Sequence, residues 1–202
     1  MDCNCPAPTM LTSIGLITCG VDMTQIQRMA FQRIGDTFDG VATDILELAD
    51  WQTKMSAVDD TKIVVTPLIG GDPTIEAGEA ITNGGGDNST LNGAEEVEGV
   101  NPSSFSCFFK SLSAEVEKAL KALICEPNLR VYFFLQGGKI ACVDVTAPEY
   151  EAFLLSGQPF ISDRNNAGYG TKDTVNMSFN LAEGWSNDLV ILEPNFNPLT
   201  DL

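Results

Sequence analysis

Apolar and polar residues alternate most regularly from Thr174 to Leu181, where Val175, Met177 and Phe179 are separated by polar side chains, which predicts a strand with one buried face. Ser104 to Lys110 repeats the signal with Phe105, Cys107 and Phe109. Leu129–Leu135 and Lys139–Val145 flank Gln136-Gly137-Gly138 and predict a hairpin, and Leu189–Leu192, after Trp185, predicts a last strand before a short tail over 195–202. The spacing changes to helical at Val116, Leu120 and Leu123, behind Ser113 as N-cap, with Glu115 and Glu117 in the first turn, Lys118 and Lys121 beyond and Pro127 past the end. Ile45, Leu48, Trp51 and Met55 predict one helix or two short ones within Thr43–Ala57, broken by Asp59-Asp60. Lys62–Ile69, dense in Ile, Val and Thr, reads as a strand. Ile26, Met29, Ala30 and Ile34 fall at helical spacing behind Asp22 and Gln25, a pattern that predicts a helix, with a strand through Arg28–Ile34 as the alternative.

Between these elements lies a segment of different character. Ile63–Phe109 carries seven carboxylates (Asp72, Glu76, Glu79, Asp87, Glu95, Glu96 and Glu98), eight glycines and no Lys or Arg. Such a composition builds no core, so the stretch predicts an exposed excursion over about 70–102. Asn83-Gly84-Gly85-Gly86 and Asn92-Gly93 are turn signals, and Thr74-Ile75-Glu76 and Glu96-Val97-Glu98 alternate around them, which predicts a long hairpin or flap in place of a structureless loop. The first twenty residues, rich in Cys, Pro and Thr, read as an extended arm. A polar loop is expected over Ser162–Asp173.

Charge narrows the function. With 11 basic and 28 acidic residues the formal net charge is −17, which disfavours phosphate backbones as ligands and argues against nucleic-acid binding through a basic groove. Asp2, and an apolar run over Met10–Ile17 broken by Thr12, Ser13 and Gly15, argue against a signal peptide, and Leu16-Ile17-Thr18-Cys19 lacks the small residue of a lipidation box. No window approaches a membrane span. Free thiols are then the expected state of Cys3, Cys5, Cys19, Cys107, Cys125 and Cys142, with the last three read as small buried hydrophobes. Cys3-x-Cys5 has no second pair at zinc spacing. Without a histidine there is no Ser-His-Asp or Cys-His site, and no phosphate-binding glycine loop is present. Asp163–Gly168 resembles the start of a calcium loop, but Ala167 stands at a ligand position and no Glu closes it. Asp59-Asp60 and Glu95-Glu96 read as solvated pairs; Asn88-Ser89-Thr90 and Asn176-Met177-Ser178 match a glycosylation pattern that matters only on export. No catalytic residue, metal or cofactor is expected, and the chain is expected not to be an enzyme.

Several stretches carry a resemblance: Gln25-Ile26-Gln27-Arg28 with Phe31-Gln32-Arg33, Asp60–Pro67, Glu76-Ala77-Gly78-Glu79, Gly184-Trp185-Ser186 and Phe196-Asn197-Pro198-Leu199. Together they resemble virion structural proteins of tailed bacteriophages and prophages of Bacteroides-type hosts. The element order, strand, long acidic loop, strand, helix, hairpin and final strands, is similar to that of tail-tube proteins. The resemblance implies a single domain over 1–202, mainly β with some α, folded as a β-sandwich or barrel-like domain with one flanking helix over Ser113–Cys125, bearing Val116, Leu120 and Leu123. It also implies a long projecting loop, terminal arms over 1–20 and 195–202 that clasp neighbours, and homo-oligomeric rings that stack around an acidic lumen through which DNA slides. The implied partners are other copies and other virion proteins, with no membrane, and the implied location is the virion, assembled in the host cytoplasm. A capsid-decorating or head–tail joining protein is the alternative. A non-viral adhesive or carbohydrate-binding sandwich is a third reading; it needs an aromatic platform, for which Tyr132, Tyr150 and Tyr169 are the available tyrosines.

Overall fold

The computed structural model describes residues 23–86 and 89–202, so the expected N-terminal arm, Cys3, Cys5, Cys19 and Asp87 lie outside the described residues. Its strands are β1 (Ile26–Arg33), β2 (Val64–Val65), β3 (Thr74–Glu76), β4 (Ala80–Asn83), β5 (Glu96–Val100), β6 (Ser103–Lys110), β7 (Leu129–Leu135), β8 (Lys139–Thr146), β9 (Glu149–Glu151), β10 (Phe153–Leu154), β11 (Phe160–Ile161), β12 (Thr174–Leu181) and β13 (Leu189–Leu192). The helices are α1 (Leu48–Ser56) and α2 (Ala114–Ala122). One antiparallel sheet has the order β13-β8-β7-β1-β2, with β9 and β10 on the ends of β8 and β7; a second has the order β11-β12-β6-β3; β4 and β5 form a ribbon by themselves.

The two larger sheets face each other as a β-sandwich, and the described strands close no barrel. Alternation places Val175, Met177, Phe179 and Leu181 of β12 and Phe105, Cys107 and Phe109 of β6 inward, against Met29 and Phe31 of β1 and Val131, Phe133 and Leu135 of β7. Phe105 stacks on Phe179 at 4.7 Å and lies 5.3 Å from Phe133. α2 packs into this core through Leu120, joined by Leu123 in the turn that follows it, with half-buried Val116 packed against the same core. Its N-cap is the predicted one: Ser113 Oγ accepts from the Val116 amide at 3.3 Å.

The first sheet is covered on its other face too. Ala30, Tyr132, Phe134, Ile140 and Cys142 point away from the sandwich into a second cluster with Phe38, Ile45, Ile63 and Trp51 of α1. Trp51 lies 4.8–5.4 Å from the rings of Phe38, Tyr132 and Phe134, and its Nε1 donates to the Ile45 carbonyl at 2.8 Å. Among the described residues the fold has two α-helices: α1, within the stretch whose spacing predicts a helix, is layered over the outer face, and α2 is the expected flanking helix at the sandwich margin.

This double burial explains why the helical reading of Ile26–Ile34 fails. The segment is β1, paired with β7 and β2, and a strand with both faces covered shows no alternation. Its run Met29-Ala30-Phe31 is buried to opposite sides, while Ile34, the last member of the helical pattern, is exposed in the turn. β2 is shorter than the predicted Lys62–Ile69 because Pro67 has no amide to donate, although Thr66 and Ile69 still donate to Met29 and Gln27 of β1 at 2.8 and 2.9 Å.

The tail over 195–202 docks on its own chain. Phe196, Leu199 and Leu202 pack against the second cluster, Asn195 donates to the Leu46 carbonyl at 3.0 Å, and Arg28 Nη1 donates to the Leu202 backbone oxygen at 2.7 Å. Cys107 and Cys142 are buried as expected, and burial pushes the Cys107 thiol up to about 12 and the Cys142 thiol up as well. Cys125 corrects the third expectation: it sits exposed in the turn after α2, where the apolar run no longer faces the core.

Candidate assembly surface

The acidic excursion divides into two parts. The first stays with the sandwich: Gly70 donates to the Phe108 carbonyl at 2.7 Å, and β3 pairs with β6 from Thr74↔Ser106 to Glu76↔Ser104. Asp72 and Glu76 therefore belong to the margin of the second sheet, with Asp72 accepting from Gln25 Nε2 at 3.4 Å. Gly71 lets the chain pass close to Phe108, since a Cβ there would overlap the ring edge unless that half-buried side chain moved.

The second part leaves the sandwich at Gly78. A Cβ on Gly78 would overlap the Asn101 carbonyl oxygen, and the next residue pair closes the base, with the Asn101 amide donating to the Glu79 carbonyl at 2.8 Å. From this base β4 and β5 run out as a two-stranded ribbon with a bulge between Ile81 and Thr82, tied by Asn83 Nδ2 donating to Glu98 at 2.9 Å. Its tip turns on Gly84, Gly85, Asn92 and Gly93, all at positive φ, and Thr90 Oγ1 donates to the Ala94 carbonyl. The predicted flap is present, and Glu79, Glu95, Glu96 and Glu98 lie on it, all exposed. Asp72, Glu76, Glu79, Glu95 and Glu96 enter no ion pair among the described residues.

No described residue of the ribbon is buried. Its apolar side chains face water: Leu91 is 81% exposed, Val97 62%, Ile81 45% and Val100 42%. An isolated two-stranded ribbon with neither face covered is marginal in water, and apolar side chains on both strands give it something to bury. These four residues are what a reading of the carboxylates alone overlooks; the Glu-Val-Glu alternation at 96–98 is their trace in the sequence. Leu120 and Leu123, by contrast, are buried in the sandwich core, with half-buried Val116 packed against it.

Gly78→Ala is expected to push β3 and β5 apart at the base, cost about 1–3 kcal/mol of stability and speed cleavage by a Glu-specific protease within 80–100, as followed by mass spectrometry.

Around α2 several charged residues are committed to one another. Glu117 of α2 accepts from Lys121 at 3.0 Å and from Arg164 at 2.8 and 3.1 Å, and Lys121 also reaches Asp163 at 2.6 Å. The calcium-like stretch at 163–168 is thereby held as an irregular loop, with Asn165 bridged to Thr174 and Asn166 Nδ2 donating to Asp173 at 2.7 Å. Donation from Lys121 and then Arg164 holds the Glu117 carboxyl below its ordinary value. A depressed carboxylate stabilises the fold above its unfolded pKa, near 4.5, and loses that contribution as pH falls through the folded value. Glu117→Gln is expected to lower the thermal midpoint at neutral pH, with the gap from the parent closing on titration below about pH 4.

Tyr132 is buried beneath α1, and Tyr150 is half-buried beside the same cluster, so the tyrosines build no shared platform. Among the described residues no helix is long and apolar enough to cross a membrane, and no three His, Cys, Asp or Glu side chains gather as a metal-binding group.

No protein-family model matches the chain, and no curated protein matches it. Among solved structures, the fold is similar to a chain from the "Tail of empty GTA particle computed with helical refinement, C6 symmetry", at 12% identity over 65% of this chain and 87% of that one. The TM-score is 0.38, a likeness too slight to carry an argument.

Proposed function

We propose that this chain is a self-assembling structural subunit of a tailed-phage or prophage virion, a tail-tube subunit that forms stacked rings with an acidic lumen for DNA passage. The observation that carries the reading is the β4–β5 ribbon: it projects from a well-packed sandwich, bears Ile81, Leu91, Val97 and Val100 in water, and is covered by none of the described residues, so a neighbouring copy would give it burial. The resemblance of the chain to tail-tube proteins supplies the architecture in which such a flap contacts an adjacent ring.

The open face of the second sheet suits passage without adhesion. Its outward positions are mostly hydroxyl and amide side chains, Ser104, Ser106, Asn176, Ser178 and Asn180, with Lys110 as the sole cation along β6 and β12. A surface without clustered Lys or Arg releases no counterions from DNA and so gains little affinity for its phosphates. A non-catalytic role fits as well, because the shifted carboxylates sit in ion pairs or turn hydrogen bonds, and the two buried thiols are held protonated.

Negative-stain electron microscopy of the purified full-length chain at rising concentration tests the reading. Rings or tubes are expected. A chain that stays monodisperse and monomeric contradicts it, and one that binds capsid shells or necks without stacking on itself identifies the decorating or joining role.

A further inference from the structure

The ribbon and the basic residues occupy opposite ends of the second sheet. β5 joins β6 at the Ser103 end, and the eight residues of β6 then span about 25 Å to Lys110. Five of the eleven basic residues gather beyond that end: Lys110 itself, Lys118 and Lys121 on α2, and Arg164 and Lys172 in the loop over 162–173. The chain brings them together through Lys110↔Thr174 pairing, the Ser111 amide donating to the Asp173 carbonyl at 2.9 Å, and Arg164 Nη2 donating to the Leu112 carbonyl at 2.7 Å. Glu115, Glu117, Asp163 and Asp173 share the region, but the last three are engaged by Lys121 and Arg164. Lys110, Lys118 and Lys172 enter no ion pair among the described residues. In the same loop, three residues before Lys172, Tyr169 stands fully exposed between Gly168 and Gly170, an aromatic side chain of the kind that anchors interfaces.

We infer that this basic end, centred on Lys110, Lys172 and Tyr169, is the receiving surface for the ribbon of a second copy of the chain, so that subunits join head to tail along the strand direction of the second sheet. The inference rests on the self-assembly reading and adds the surface to it. Charge selects the occupant: the ribbon carries Glu79, Glu95, Glu96 and Glu98 and no basic residue, so two ribbons repel, whereas a ribbon and the Lys110 end attract. A contact between different patches of identical subunits is heterologous and propagates, as stacking requires. The arrangement also sets the ribbon's carboxylates against Lys110, Lys118 and Lys172 in a chain of net charge −17.

The test is charge reversal with rescue in the full-length chain. Lys110→Glu with Lys172→Glu is expected to raise the concentration needed for assembly at least about tenfold, as is Glu95→Lys with Glu96→Lys, and the chain carrying all four changes is expected to regain assembly. Carbodiimide cross-linking of parent multimers is expected to join Glu95 or Glu96 to Lys110 or Lys172 between subunits. Thermal melts of each variant separate loss of assembly from loss of fold. Parent-like assembly of the lysine variant, or no recovery in the fourfold variant, overturns the receiving surface while leaving self-assembly through the ribbon intact. A parent chain that never assembles overturns both.

Discussion

Excising Ala80–Val100 and joining Glu79 to Asn101 through a two-residue turn is expected to leave a folded monomer that forms neither rings nor tubes. The join is permitted because the Asn101 amide already donates to the Glu79 carbonyl at 2.8 Å, so the flanking strands β3 and β6 keep their register. The described residues among those removed contribute no buried side chain, so the thermal midpoint should move by no more than about 2–4 °C, the equivalent of about 1 kcal/mol for a chain of this size. Shortening the loop also lowers its closure entropy slightly, which offsets part of the lost β4–β5 pairing. Sedimentation velocity and a melt on the same sample read both halves of the prediction. A variant that still assembles places the contact elsewhere on the sandwich; a variant that unfolds shows that the ribbon belongs to the core.

Trp51→Ala carries the largest expected loss of stability, about 3–5 kcal/mol. Trp51 is fully buried, contacts three rings and donates its indole N–H to the Ile45 carbonyl. Removing it opens a cavity between α1 and the first sheet and leaves that carbonyl without its indole donor. The same layer holds Lys54, buried at 5% exposure, whose ammonium binds Asp36 and the Thr37 carbonyl, so movement of α1 also loosens an ion pair shielded from water. Urea unfolding is expected to show a lowered midpoint with an unchanged slope if only the native packing is affected. A loss below about 1 kcal/mol would mean that the layer over the first sheet adds little to the fold.

Legibility in the sequence followed burial geometry. β6, β12 and the β7–β8 hairpin bury one face or end in a Gly-Gly turn, and their alternation and turn chemistry can be read directly. α2 announced itself through Ser113, its charged ends and the Val116, Leu120 and Leu123 stripe. β1 did not, since a strand buried between two layers replaces alternation with a run that also matches helical spacing. The layered role of α1 was likewise hidden: spacing predicts a helix there but says nothing of which face of which sheet it covers. For the candidate site, composition located the acidic excursion, yet only the register of β3 against β6 separates Asp72 and Glu76, on the sandwich, from Glu79, Glu95, Glu96 and Glu98 on the ribbon. The basic end was invisible for a simpler reason, since Lys110 and Lys172 meet only through the pairing of β6 with β12.

The central claim is that the β4–β5 ribbon is completed by a neighbouring subunit, and amide hydrogen exchange on the dissociated and assembled chain measures it most directly. Amides of 80–83 and 96–100 are expected to exchange almost as fast as unstructured chain when subunits are apart, while those of β6, β7 and β12 are protected, and assembly is expected to slow the ribbon amides about 100-fold or more. Equal, rapid exchange of the ribbon in both states, with protection gained only elsewhere, would contradict it.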